Sequence, residues 1–457
     1  MTRNLLDWPL IGPLLRRHAL LEGLRAAVLL LFLSAIAFGF IYPKAEENPY
    51  TTALFWSLFW PFFLITTMVT LGPVFCMICP HSFIGRWLNR SGPQKLMPNW
   101  LRNRWWGLGL LVVSYWVPLY LWPGLLKNPL VTASYFLALT LLAWFMFYRY
   151  RNMDYCRYLC PIGSVTKAFS KVGFARLETD QSRCTSCRSF DCVKACQWKL
   201  RPYLFEQKND MQDCTTCMDC AQACSAVRWD LVPPMTQLSH SGKLDRRMTV
   251  WVFLTLLIVI TMTMRLHHAL GHSALKEQLP WVQMGHWLAA HLPDFGGLDW
   301  VGFSALVTAT AGTLALVFGG FWLAARFARV PFWQMFDHAG LALGPLMLIG
   351  ALSHVGAFFF LHYAPDLQNA FYWLVGLPQT AEPWASFRHD PWLRAFNLFN
   401  VLAAIAALWV LVRQLKQLGL TGLRLTGATL LAGLVIWGYL ALFALTLYAR
   451  SLGHGGH

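Results

Sequence analysis

Two runs of cysteine constrain this chain more than any other feature. The first reads Cys184-Thr-Ser-Cys187-Arg-Ser-Phe-Asp-Cys192-Val-Lys-Ala-Cys196, the second Cys214-Thr-Thr-Cys217-Met-Asp-Cys220-Ala-Gln-Ala-Cys224. The second has the C-x2-C-x2-C-x3-C spacing in which three thiolates wrap one iron–sulfur cube and the fourth cysteine reaches a neighbouring cube. The first differs only by two extra residues before its third cysteine. On that rule Cys184, Cys187, Cys192 and Cys224 hold one [4Fe–4S] cluster, and Cys196, Cys214, Cys217 and Cys220 hold another. Disulfides at this density belong to small secreted domains, and structural zinc has no use for the third and fourth cysteine of each run. Gln197 and Ser225 replace the proline that follows the last cysteine in bacterial ferredoxins.

The rest of the chain is of another kind. With 56% hydrophobic and 13% charged residues and 23 tryptophans among 457, it reads as a polytopic α-helical membrane protein. Apolar runs long enough to span a bilayer fall at about 25–42, 53–75, 107–126, 131–148, 249–266, 301–325, 337–361, 393–412 and 427–448. The expected architecture is about nine spans with an inserted small bacterial-type 2[4Fe–4S] ferredoxin domain. Residues 1–151 form a membrane domain of four spans, 152–247 the ferredoxin-like insert, and 248–457 a membrane domain of five spans. Within the insert, residues 180–199 and 210–228 read as two copies of one loop-plus-helix unit. Its small core means that the clusters supply much of its folding free energy.

The net charge of +16 does not signal nucleic acid, because the basic residues sit at the ends of apolar runs on alternate sides. One side collects Arg3, Arg16, Arg17, Arg86, Arg90, Lys95, Arg102, Arg104, Arg149, Arg151, Arg157, Lys243, Arg246 and Arg247. The positive-inside rule therefore puts the N-terminus and the insert in the cytoplasm of a bacterial inner membrane, and the C-terminus in the periplasm. No small-residue cleavage site follows the first apolar run, so that run reads as a signal-anchor. The Arg16-Arg17 pair lacks the rest of a twin-arginine signal.

Four further cysteines lie at cytoplasmic span ends, in Cys76-Met-Ile-Cys79-Pro80 and Cys156-Arg-Tyr-Leu-Cys160-Pro161. They could converge on a third iron–sulfur cluster, form a redox-active or copper-binding dithiol, or be inert thiols at helix ends. This layout, with Cys156-Arg-Tyr-Leu-Cys160-Pro-Ile-Gly163 beside a tandem ferredoxin unit, resembles the NapH/NosR/CcoG group of membrane-bound polyferredoxins. Cys76–Pro80 departs from the group's C-x3-C-P pattern by one residue. Over roughly residues 50–235 the resemblance implies inner-membrane electron transfer. In some members this runs from quinol towards periplasmic nitrogen-oxide reductases, in another towards reduction of copper for oxidase assembly.

Residues 250–457 lack cysteine but hold most of the histidines. His267, His268 and His272 lie at the outer end of the fifth span, His354 and His362 in the outer half of the seventh, and His338 near its inner end. His267 or His268 opposite His354 or His362 would suit a haem b, and the same residues would suit a quinone site. His286, His291 and the tail at 453–457 read as solvated. No nucleotide fingerprint, phosphate loop or hydrolytic triad is present. The expected function is an electron-transfer component working with membrane lipid, the quinone pool and a redox partner protein, or else an assembly factor reducing copper or a thiol. A reporter joined after residue 240 is expected to behave as cytoplasmic and one joined after His457 as periplasmic, read by paired alkaline phosphatase and fluorescent-protein fusions.

Overall fold

The computed structural model describes residues 4–205, 213–239, 246–387 and 389–452. Arg3, Asp210, Lys243, Arg388 and the histidine-bearing tail at 453–457 lie outside them.

The described chain is mostly helical. Eight helices are long and apolar enough to cross a membrane: His18–Ile41, Pro49–Thr70, Pro129–Arg149, Arg246–Leu270, Trp300–Ala328, Phe332–Leu374, Pro391–Gln417 and Leu434–Ser451. Trp105–Leu121 is apolar but shorter. Two helices differ from the hydropathy pattern. The Phe332–Leu374 helix runs well beyond residue 361, where Asp366 accepts a hydrogen bond from Ser57 (3.0 Å) and Trp373 stacks on Tyr50. The last apolar run breaks at Gly433 into Gly422–Ala432 and Leu434–Ser451.

The chain forms two compact units. The first comprises Met1–Leu110, Leu126–Gly242 and Phe358–Asp390; the second comprises Leu111–Leu125, Lys243–Ala357 and Pro391–His457.

In the first unit, His18–Ile41 packs on Pro129–Arg149 at Gly39, where an added Cβ would stand 2.5 Å from the Ala133 Cβ. Beside the helices sits one antiparallel strand pair, Ala175–Thr179 with Val227–Leu231, with Leu177 opposite Trp229. The strands bracket the cysteine runs, and their buried faces share a core with Cys192 and Cys220. The N-terminal lead-in belongs to this core. Leu5, Leu6, Leu15 and Leu21 are buried in it, and the Asn4 side chain accepts the Trp229 N–H at 3.0 Å. Sequence alone treats this segment as basic flank, because the four leucines that are buried are spaced too irregularly to register as an element.

In the second unit, Trp300–Ala328 packs on Gly422–Ala432 and on a short helix, Pro280–His291. The Tyr120 carbonyl fits against Gly302, where a Cβ would come within 2.1 Å, and the Tyr120 hydroxyl donates to the Val259 carbonyl (2.5 Å).

Candidate iron–sulfur centres

The two Cys-Pro loops are built alike despite their different spacing. Cys79 and Cys160 each immediately precede a helix, Pro80–Ser91 and Pro161–Phe169, with extended ψ of 122° and a proline in the first turn. Proline suits that position because its missing N–H would be unsatisfied there and its φ is already helical. N–H groups of the first turn then face the sulfur: those of His81 and Ser82 for Cys79, those of Ile162 and Gly163 for Cys160. A helix N-terminus favours a thiolate. Gly163 is required because a Cβ there would stand 2.5 Å from the Cys156 carbonyl oxygen.

The two loops meet. The Cys76 Sγ lies 3.3 Å from the Thr166 hydroxyl, on the helix that follows Cys160. Burial pushes the Cys160 thiol up to about 11, and the charge of Cys79 adds to it. Burial also raises the Cys156 thiol, with Cys160, Cys79 and Cys76 adding to the effect. Four thiols thus gather where none ionises easily alone, a situation that binding to a positively charged centre relieves. Among the described residues no three histidine, cysteine or acidic side chains converge closely enough to hold one metal ion. Thiolates around a single tetrahedral zinc stand roughly 3.8 Å apart, whereas a cubane takes one thiolate at each of four irons and needs them wider.

The insert repeats one local design. Phe190 and Met218 occupy equivalent places two residues before the third cysteine, and both adopt the left-handed conformation, with φ of 50° and 64°. Each leads into a short helix, Asp191–Ala195 or Asp219–Ala223, and the two helices pack together. Non-glycine residues rarely adopt this conformation, so its recurrence marks a turn set by the loop around the site. The sulfurs of each group influence one another. Burial pushes Cys192 up to about 11, with Cys224, Cys184 and Cys187 adding. Burial pushes Cys214 up to about 12, with Cys196 adding, and burial raises Cys220 with Cys217, Cys214 and Cys196 adding. Cys196, Cys214, Cys217 and Cys220 line a shallow, partly open pocket walled by Trp198 and Phe205.

The two sets of the insert differ in surroundings. Cys187 lies at the surface, its thiol held below the usual range by the Phe190 N–H and the Ser189 hydroxyl. Arg183, Arg188, Phe190 and Lys194 of the same run and its lead-in are exposed. The second set is held against the Cys-Pro loops by the acids that flank it. Asp213 meets Arg104 (3.1 Å), Arg157 (3.1 Å) and Lys167 (3.1 Å). Burial works to raise its carboxyl, but Lys167, Arg104 and Arg157 outweigh it and keep the group below the usual carboxylate range. Arg157 lies between Cys156 and Cys160 and also donates to the Trp198 carbonyl (3.1 Å), while Lys167 donates to the Cys156 carbonyl (3.0 Å). On the other side Asp219 meets Arg86 at 3.3 Å. Sequence reasoning counted Arg86, Arg104 and Arg157 only as charges marking a membrane side. The signal for their partners was present in Asp213, just before the second run, and Asp219, within it, whereas Arg183 precedes the first.

In the second unit His267, His268 and His272 cluster, with ring centroids 4.7–6.3 Å apart, and His268 interacts electrostatically with His354. His267 Nε2 is engaged by Asp299 at 2.9 Å, which occupies the nitrogen a haem iron would commonly take. His362 falls in the first unit, against Phe358. His338 bonds Gln414 (3.0 Å) and Arg246 (2.7 Å), and His291 bonds the Trp287 carbonyl (2.8 Å).

The family described as 4Fe-4S binding domain matches residues 52–109 and 130–177. Those segments hold Cys76, Cys79, Cys156 and Cys160, and both stop short of Cys184. The uncharacterized protein MJ0749 of Methanocaldococcus jannaschii is 31% identical over 93 residues, 20% of this chain and 36% of its own length. The uncharacterized protein MJ0750 of the same organism is 24% identical over 178 residues, 35% of this chain and 72% of its own. This chain therefore spans only about a third of the first of these relatives. No solved structure matches it. The chain carries a 4Fe-4S binding domain in two segments, consistent with a polyferredoxin.

Replacing Asp213 by asparagine leaves three buried or half-buried cations without their acid. The expected cost is about 3 kcal/mol, the low end for a buried pair because Asp213 keeps some exposure. Limited proteolysis is expected to cut faster between residues 184 and 224 in the variant.

Proposed function

We propose that the chain is an integral membrane electron-transfer protein of the NapH/NosR/CcoG kind that holds three [4Fe–4S] clusters. Cys184, Cys187, Cys192 and Cys224 hold the first; Cys196, Cys214, Cys217 and Cys220 the second; Cys76, Cys79, Cys156 and Cys160 the third. The observation that carries the third is the match of a 4Fe-4S binding domain to the two segments that each supply one cysteine pair. Cys156 is coupled to Cys160, Cys79 and Cys76 alike, so the four sulfurs share one neighbourhood, which supports one shared centre over an isolated dithiol. A [4Fe–4S] cluster supplies one-electron transfer at a potential tuned by charge, hydrogen bonds and exposure.

The residues divide the work. Cys187 and its exposed rim offer the edge at which a redox partner protein docks. Asp213 and Asp219 hold the second set against the third, so the three sets run from the exposed edge to the helix ends. In this reading the apolar helices span a bacterial inner membrane in contact with lipid. The insert is cytoplasmic and the C-terminal helices face the quinone pool. The Asp299–His267 pair, beside His268 and His354, is where quinol is oxidised, because a carboxylate–imidazole couple can take up the protons released. This reading is favoured over haem b by the commitment of His267 Nε2 to Asp299.

Anaerobically purified protein is expected to contain about twelve iron atoms per chain. Cys160→Ser should lower that by about four and remove one EPR signal. Cys187→Ser should remove a different signal. Stoichiometric zinc with no signal on reduction would end the reading. A b-type absorption band lost in His354→Ala would replace quinone by haem.

A further inference from the structure

Arg25 is the charged side chain that the reading above leaves unused. It sits on His18–Ile41 and is 1% exposed. Its guanidinium reaches two cysteine loops at once. Nε donates to the Met77 carbonyl, between Cys76 and Cys79, at 2.9 Å, and Nη2 donates to the Cys217 carbonyl at 2.6 Å. Its remaining nitrogen pairs with Glu22 and lies 3.9 Å from Asp219. Arg86 closes the group, 3.0 Å from Glu22 and 3.3 Å from Asp219.

Two cations and two acids balance, so the group is neutral. A buried neutral ion group is weak evidence for stability, since apolar side chains of similar volume often do as well. What apolar side chains cannot do is donate to two backbone carbonyls in two loops. A planar guanidinium with a fixed fork can, whereas an ammonium offers donors from a single point. Both carbonyls belong to residues within or beside proposed ligand sets, and hydrogen bonds and charge there set a cluster's potential.

We propose that Arg25 is a positioning residue for the redox pair formed by the Cys196, Cys214, Cys217, Cys220 set and the Cys76, Cys79, Cys156, Cys160 set. It fixes the separation of the two loops. By placing positive charge and two N–H donors between them, it also favours the reduced state on both sides. The exchange it supports moves one electron between the two centres, with no bond made or broken. The inference rests on the three-cluster reading.

The test is an anaerobic EPR-monitored potentiometric titration of the full-length protein in detergent, with iron counted for each sample. Arg25→Met is expected to lower the midpoints of both flanking centres. It should also weaken the spin–spin broadening between them while leaving the Cys187-side centre unmoved. Arg25→Lys is expected to restore the midpoints, because the charge returns, but not the broadening, because one ammonium does not bridge both carbonyls. Full iron with unchanged midpoints and broadening in Arg25→Met overturns the proposal. If Arg25→Met loses iron, Arg25→Lys decides, and wild-type broadening in that variant overturns it. A wild-type protein with about eight irons and no centre at Cys76, Cys79, Cys156 and Cys160 overturns the underlying reading and this inference with it.

Discussion

The structure of the first unit depends on two acids, Asp213 and Asp219, which bracket the start of the second cysteine run. Each is gripped by cations from the helix ends: Arg104, Arg157 and Lys167 on one side, Arg25 and Arg86 on the other. Three of these cations belong to the Cys-Pro loops or the helices that follow them. Seating the second run therefore seats the loops as well. Ion groups of this kind add little net stability, and their best-attested role is to fix register. Here the register is that of one cysteine set against another.

That constraint explains why two nearly identical runs end in such different places. A ferredoxin repeat has approximate internal symmetry, and its two halves share the left-handed residue and the short helix that follows it. Charge breaks the symmetry. The first run follows Arg183 and carries Arg188, whereas the second follows Asp213, which Arg104, Arg157 and Lys167 hold at the helix ends. Its cysteines are correspondingly walled in by protein, while Cys187 is at the surface.

Much of this was legible in the sequence. Eight of the nine apolar runs hold a helix long enough to span a membrane, the run at 107–126 holding a shorter one, while burial-raised Cys192 feels Cys184, Cys187 and Cys224 and burial-raised Cys220 feels Cys196, Cys214 and Cys217. Three things were hidden, each for a physical reason. The likeness of Cys76–Pro80 to Cys156–Pro161 was obscured by a one-residue difference in spacing, although the second cysteine of each pair directly precedes a helix that opens on proline. The interleaving of the two units was hidden because hydropathy reports that a helix is apolar but not which neighbours it packs on. The histidines of the second unit carry no spacing rule, so only the structure shows that His267 is engaged by Asp299 and that His362 belongs elsewhere.

The small core of the insert bears on how its redox centres are oriented. Leu177, Val227 and Trp229 share a core with the insert's own Phe205, Met218 and Ala221. Leu5, Leu6, Leu15 and Leu21 complete the wall, and Gln222 donates to the Leu15 carbonyl at 2.9 Å. A ferredoxin that folds alone presents its two clusters to solvent more or less equivalently. This one borrows its wall from the N-terminal lead-in and its charge balance from the Cys-Pro helices, so one face is committed to the helix ends before any partner arrives. The fold thereby leaves the edge around Cys187 and Phe190 exposed. A chain built this way has a defined inner and outer end, which a symmetric pair of clusters would lack.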